Sequence, residues 1–328
     1  QLQEQLIFAV DVMTIAAGRV SFSLGLQGSC MSIDTACSSA LVALHAAFLS
    51  VESEGNTVQE EVLVATANLM LSPQLSCAYA SAGMLSVDGR CKFADDRANG
   101  YVRGEGVGAT SLFSGSISPR ATLSYLGGSA VRQDGRSASL TAPNGSAQST
   151  LLLAVLGRAV LGALEVGSIE AHGTGTALGD PIEARSLHTT LLHVDPRGEE
   201  DDRPRCVGGI KANLGHAEPV AGTTGLLQAI VAGEHLRVAP NAQLRVLNPL
   251  IAERLGRAPC FGLPTEGLRM AVELKGGVSS FGYSGTIAHA AFRILGGRAG
   301  FQVSSWSFVD TPSLSVGDRS PRFPWNNV

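Results

Sequence analysis

No run in this 328-residue chain approaches the ~18 consecutive apolar positions that a membrane-spanning helix needs. The tightest apolar clusters, residues 151–156 and 226–232, are of core size. Positive charge is not in excess either: 24 Lys+Arg stand against 28 Asp+Glu, a formal net charge of −4. That removes the basic footprint of a nucleic-acid binder and the polybasic patch of a membrane-surface protein. Cysteine is scarce. The six lie at 30, 37, 77, 91, 206 and 260, and none falls at CxxC or zinc-ligand spacing. They build no disulfide scaffold and no metal site, so reduced and mostly buried thiols are expected. Charged residues make up only 16% against 45% hydrophobic, which excludes disorder as the default. The opening segment QLQEQLIFAV carries an acid and no Lys or Arg, unlike a secretory signal. A first residue other than Met, inside a helical pattern, leads us to expect a fragment of a longer chain.

What the chain does have is glycine, 39 residues against about 23 at ordinary usage. Strand-like and helix-like segments alternate between the glycine turns, which favours α/β layering. Helices are expected over 3–17, 37–49, 75–85, 146–164 and 217–235, and strands over 28–34, 61–70, 101–113, 121–132, 206–210, 272–280 and 286–294. Asp180-Pro181-Ile182-Glu183 reads as a helix start, with Asp as cap and Glu three residues on completing a capping box. Residues 88–99 and 195–205 read as charged loops, and the polar tail from residue 296 as a linker.

Four turns hold the candidate chemistry. In Ser32-Ile33-Asp34-Thr35-Ala36-Cys37-Ser38-Ser39 a strand bends straight into an apolar helix with Cys37 at the bend. Free helix N–H groups and the positive helix end there favour a thiolate and a lowered pKa. This is the logic of a nucleophile elbow with sulfur in place of hydroxyl; a small buried core Cys at a helix start reads equally well from spacing. His172 ends a short strand in the Gly/Thr turn His172-Gly173-Thr174-Gly175-Thr176. His216 ends Lys211-Ala212-Asn213-Leu214-Gly215-His216, again between a strand and a helix. Ser280-Phe281-Gly282-Tyr283-Ser284-Gly285-Thr286 is a glycine turn between strands, of the kind that exposes backbone donors for an oxyanion. A thiol to accept an acyl group and two imidazoles to manage a proton or an enolate oxygen form a coherent set.

Taken together, DTACSS at Cys37, EAHGTGTALGDPIEA at His172, KANLGH at His216 and GVSSFGYSGT at 277–286 resemble the β-ketoacyl synthases, most of all the ketosynthases of type I polyketide synthases. NLMLSP at 68–73, DGRCK at 88–92 and GYVRGEG at 100–106 resemble them too. The resemblance implies an α/β thiolase-like fold, a five-layer α-β-α-β-α sandwich of two related halves, the first incomplete. It implies a half over 1–119 bearing the Cys, a half over 120–240 bearing both His, an extension over 241–295 with the oxyanion turn, and a tail over 296–328. It implies decarboxylative Claisen condensation in polyketide or fatty acid biosynthesis. Cys37 takes an acyl chain from an acyl carrier protein, His172 and His216 stabilise the enolate of a malonyl-type extender, and the N–H groups of Cys37 and Tyr283 hold the oxyanion. Thr174, Thr176, Phe281 and Gly282 contact the phosphopantetheine arm, and Lys211 fixes the His216 loop by hydrogen bonding. No metal and no directly bound cofactor are implied. The expected partners are the acyl carrier protein, a second copy paired through the strand before Cys37, and other synthase domains of the parent chain. The expected compartment is the cytoplasm or a plastid.

Two departures stand out. Ile287 replaces a polar Asn of the family turn and loses a donor and an acceptor near the site, and Ser284 stands where Gly is usual. With the incomplete first half they leave a second reading, a non-elongating module that holds acyl chains without condensing them. Elsewhere His45 reads as packed or hydrogen-bonded in a core helix, His289 as structural, and Cys30, Cys77, Cys91, Cys206 and Cys260 as inert.

Overall fold

The computed structural model describes residues 14–52, 61–113, 124–191, 205–255, 261–269 and 273–295. The expected helix residues 3–13, the loop 195–204, Cys260 and the tail lie outside the described residues. In chain order the elements are α1 (Thr14–Leu24), α2 (Ser39–Glu52), β1 (Glu61–Asn68), α3 (Pro73–Ser81), β2 (Gly106–Phe113), β3 (Ser124–Gln133), α4 (Gly145–Ala159), β4 (Ser168–Glu170), α5 (Gly179–Leu191), β5 (Arg205–Gly208), α6 (Lys211–Leu214), α7 (Ala221–His235), β6 (Arg237–Val238), α8 (Pro249–Leu255), β7 (Phe261–Gly262), β8 (Leu268–Arg269), β9 (Glu273–Phe281) and β10 (Thr286–Leu295).

A six-stranded mixed sheet in the order β3-β10-β9-β4-β5-β7 carries the site. Its first three strands are antiparallel and the rest parallel. Alternation along β10 explains its burial, because successive side chains point to opposite faces. Ile287 and Ala291 enter one cluster with Leu151 and Val155 of α4. Ala288 and Ala290 enter another with Leu41 and Leu44 of α2 and Leu226 and Ala229 of α7. Beyond α2 lies a second sheet, the antiparallel β1–β2 pair, which that helix packs against. The described residues therefore build four successive layers: α4/α5, the large sheet, α2/α7 and β1–β2. The central helices are apolar nearly all round, as a layer between two sheets requires.

The expected strand over 28–34 is not formed; the segment has no regular structure and is almost wholly exposed. It has a strand's residues but no neighbouring strand among the described residues to accept its hydrogen bonds, and a strand is defined by its ladder. The strand expected from residue 101 begins only at Gly106, since Tyr101 pairs with Met84 and Ser86, and Val102 and Gly104 bond to His216 instead.

Candidate active site

Cys37 stands at a strained elbow. Ala36 before it has φ 55, the left-handed region that side chains avoid, and its N–H donates to Asp34 Oδ1 at 3.0 Å. Ser39 Oγ accepts from Thr35 N at 2.8 Å, and Ser38 Oγ donates to Thr35 O at 2.9 Å. From the glycine turn at 280–286, Ser280 Oγ donates to Cys37 O at 2.6 Å. Gly282 lies against the elbow so closely that a Cβ there would meet Thr35 O at 2.5 Å. The bend is thus set by small polar side chains and one obligatory glycine.

The two imidazoles converge on the thiol from distant stretches of chain. His216 Nε2 is 3.0 Å from Cys37 Sγ, and the rings of His172 and His216 are 5.6 Å apart, edge to face. Backbone amides define the tautomers. Phe281 N donates to His172 Nδ1 at 3.2 Å and Glu218 N to His216 Nδ1 at 3.3 Å. An accepting Nδ1 leaves the proton on Nε2, so both rings present N–H donors to the pocket. Burial, reinforced by the nearby Lys211 ammonium, pushes both His pKa values well below the usual range and keeps the rings neutral. Tyr283, Tyr79, Tyr101, His216, His172 and Phe281 make successive ring contacts at centroid distances of 5.0 to 6.5 Å. The two imidazoles beside the sulfur thus belong to a continuous row of rings.

The expectation of a lowered Cys37 pKa is corrected. Burial pushes the thiol up to about 12, and Lys211 opposes this only in part. Loss of water outweighs the helix end in so dry a pocket. Cys37 therefore rests as a thiol, and alkylation by iodoacetamide is expected to climb about tenfold per pH unit from pH 7 to 10. The rate of label uptake at Cys37 measures this; a plateau below pH 8 contradicts it.

Behind His172 the tertiary structure reassigns two carboxylates. Asp180 and Glu183 do not form the expected capping box. Asp180 accepts from the N–H groups of Ala94 at 3.0 Å, Gly175 at 3.1 Å and Thr176 at 3.3 Å. Glu183 accepts from His172 N at 2.7 Å and Gly173 N at 2.9 Å. Both reach back to the His172 turn, where buried amides need acceptors more than the helix end does. Burial pushes Asp180 up to about 7 despite these bonds. Gly175 in that turn has φ +77, and a Cβ on it would stand 2.4 Å from Lys92 N. Gly175→Ala is expected to cost about 2–4 kcal/mol and to displace the turn. A denaturant melt with an unchanged midpoint would rule that out.

The other expected site residues are placed as follows. Thr174 is buried, its hydroxyl 3.4 Å from that of Thr176, which accepts from Gly179 N at 3.1 Å. Tyr283 is 45% exposed at the crest of its turn, and its N–H has no acceptor among the described residues. Lys211 is buried, but its ammonium makes no hydrogen bond to the His216 loop among the described residues. Backbone bonds hold that loop, Gly215 N to Lys211 O at 2.9 Å and His216 N to Val102 O at 2.8 Å, while the ammonium acts through its field. Ile287 is fully buried in an apolar cluster with Phe281, where a hydrocarbon side chain belongs. Ser284 is outside the left-handed region, so its Cβ costs nothing. His45 bonds Ser129 Oγ at 2.8 Å and His289 bonds Ser279 Oγ at 3.0 Å, in keeping with structural roles. Cys91 and Cys206 are buried like Cys37, while Cys30 and Cys77 are exposed, so three of the five described cysteines match the expectation of mostly buried thiols. Sequence reasoning assigned no role to Arg103 and Glu218, nor to Tyr79 and Tyr101, although GYVRGEG and the Glu two residues after His216 were visible signals. Among the described residues no cluster could hold a metal ion and no helix is long and apolar enough to cross a membrane.

Comparison with known proteins falls on the same stretch. The family described as "Beta-ketoacyl synthase, N-terminal domain" matches residues 3–116, and "Beta-ketoacyl synthase, C-terminal domain" matches residues 123–245. The chain is 41% identical over 280 residues to a phenolphthiocerol/phthiocerol polyketide synthase of Mycobacterium tuberculosis, covering 84% of this chain and 15% of that one. It is 39% identical over 280 residues to erythronolide synthase EryA3 of Saccharopolyspora erythraea, covering 84% of this chain and 9% of that one. Among solved structures, the ketosynthase from module 6 of the bacillaene synthase of Bacillus subtilis 168 superposes with a TM-score of 0.77 at 32% identity, covering 86% of this chain and 50% of that one. The chain thus spans a small part of the synthases it matches and about half of that ketosynthase.

Proposed function

The chain belongs to the β-ketoacyl synthase family, with a thiolase-like fold, and from that premise we propose that it condenses a Cys37-bound acyl chain with a malonyl-type extender in polyketide synthesis. The observation that carries this reading is the pair of neutral Nε2–H donors, one of them 3.0 Å from Cys37 Sγ. In the first half-reaction the thiol attacks an acyl thioester on the phosphopantetheine arm of an acyl carrier protein. A new carbon–sulfur bond forms, and the pantetheine leaves as a thiol with the Cys37 proton. In the second, the extender's bond to its carboxyl breaks and CO₂ leaves. The electron pair enters an enolate whose oxygen the two Nε2–H groups hold. The enolate carbon then attacks the Cys37 thioester, whose oxygen turns to the N–H groups of Cys37 and Tyr283, and sulfur leaves.

Thr174, Thr176, Phe281 and Gly282 are assigned to the pantetheine arm, with Gly282 acting through backbone alone because it abuts the elbow. The assignment of Lys211 is as a field source. The exposed, unpaired segment over 28–34, with Met31 58% exposed, supports pairing with a second copy. Other synthase domains in the parent chain and a cytoplasmic or plastid setting complete the reading. A single-turnover assay on the full chain decides it. Acyl-Cys37 mixed with malonyl carrier protein is expected to give a carrier-bound 3-oxoacyl chain by mass spectrometry. A stable acyl-Cys37 with no new carbon–carbon bond would favour the acyl-holding module instead.

A further inference from the structure

We propose that Arg103 is a positioning residue which, through Glu218, fixes the proton-bearing nitrogen of His216; this rests on the reading of His216 as an enolate-stabilising donor. Glu218 has φ 48, a left-handed conformation, and is 5% exposed. That conformation is unfavourable for a side-chain-bearing residue and persists only where its surroundings hold it. Here it turns the Glu218 N–H onto His216 Nδ1 at 3.3 Å. The carboxylate of the same residue is held by two parallel bonds from one edge of the guanidinium, Arg103 Nε at 2.5 Å and Nη2 at 3.0 Å. Arg103 Nη1 donates to Ser76 Oγ at 2.6 Å, and its Cζ sits 5.4 Å from the centre of the Tyr79 ring. All three guanidinium nitrogens and one of its faces are thereby engaged, which restrains the fork.

The backbone around Arg103 clamps the same histidine. His216 N donates to Val102 O at 2.8 Å, and Gly104 N donates to His216 O at 2.8 Å. Side chain and main chain of residues 102–104 thus hold His216 from both sides. A buried ion pair is a poor way to gain stability, because desolvation offsets its attraction. It is an effective way to hold one strained amide in one direction. With that amide displaced, His216 Nδ1 loses its donor and the ring is free to place its proton on Nδ1. Nε2 then offers a lone pair to the enolate oxygen instead of a proton.

The test compares wild-type chain with Arg103→Met, Arg103→Lys and Glu218→Gln, using ¹⁵N-histidine spectra to read the His216 tautomer. Cys37 acylation and malonyl carrier protein decarboxylation are measured alongside. Arg103→Met is expected to move His216 from the pure Nε2–H form to a mixture and to slow decarboxylation at least ~10-fold, with acylation changed less than ~3-fold. Arg103→Lys, with one donor point in place of a fork, is expected to restore the tautomer and the rate in part. An unchanged His216 spectrum in Arg103→Met overturns the proposal, as does equal loss of both half-reactions with the tautomer intact. Should Arg103→Met fail to fold by circular dichroism, Glu218→Gln, which keeps the shape and removes the charge, decides by the same readouts. A wild-type chain that neither acylates nor decarboxylates, with a tautomer that still follows Arg103, defeats the condensing function and leaves this inference standing.

Discussion

Cys37→Ala is expected to abolish acyl loading: after incubation with an acyl carrier protein thioester, the intact mass of the variant should not move. Cys37 Sγ is buried and lies 3.0 Å from His216 Nε2, whereas Cys30 and Cys77 are exposed and Cys91 and Cys206 are buried away from any imidazole contact among the described residues. A positioned oxyanion donor alone is worth ~3 kcal/mol in the barrier, so acylation depends on the thiol at the catalytic elbow. Malonyl decarboxylation should persist in this variant, since both imidazoles and their amide partners remain. A stoichiometric acyl adduct on the Ala variant would remove Cys37 from the mechanism.

His216→Ala should divide the two half-reactions. Decarboxylation of malonyl carrier protein is expected to fall about 10²–10³-fold, the loss typical of one preorganised donor on a developing oxyanion. Self-acylation should fall less than ~10-fold, because the pantetheine thiol can carry away the Cys37 proton and the backbone N–H groups proposed for the oxyanion are untouched. Rapid-quench acylation and CO₂ release, followed on the same sample, give both numbers. Equal losses would show that His216 serves the thiol and not the enolate. His172, which contacts Phe281 and accepts its amide, offers the control: its removal should also spare acylation.

How much of this was legible beforehand differs from element to element. The apolar helix after Cys37, the two antiparallel strands flanking the glycine turn and the strand-to-helix turns at His172 and His216 follow from period and composition. Their side chains report a burial that is the same whatever packs against them. The role of 180–183 did not follow. A capping box is a correct local inference, but in the folded chain Asp180 and Glu183 answer to buried amides of the His172 turn. The segment over 28–34 failed for the same reason in reverse, since a strand needs a partner that local sequence does not contain. The Cys37 pKa failed too: a helix start is readable, while the water removed from around it is not.

Family, α/β layering and the identity of the three chemical groups are written in the order of the residues, because four motifs and their turn residues carry that information locally. What those groups can do is settled by folding alone. Bringing His216 Nε2 to 3.0 Å from a sulfur 179 residues away, aiming two amides at two Nδ1 atoms, and drying the pocket enough to keep the thiol protonated all depend on layers packed from distant segments. Proton position and solvation are properties of an assembled interior, and no short stretch of chain holds them.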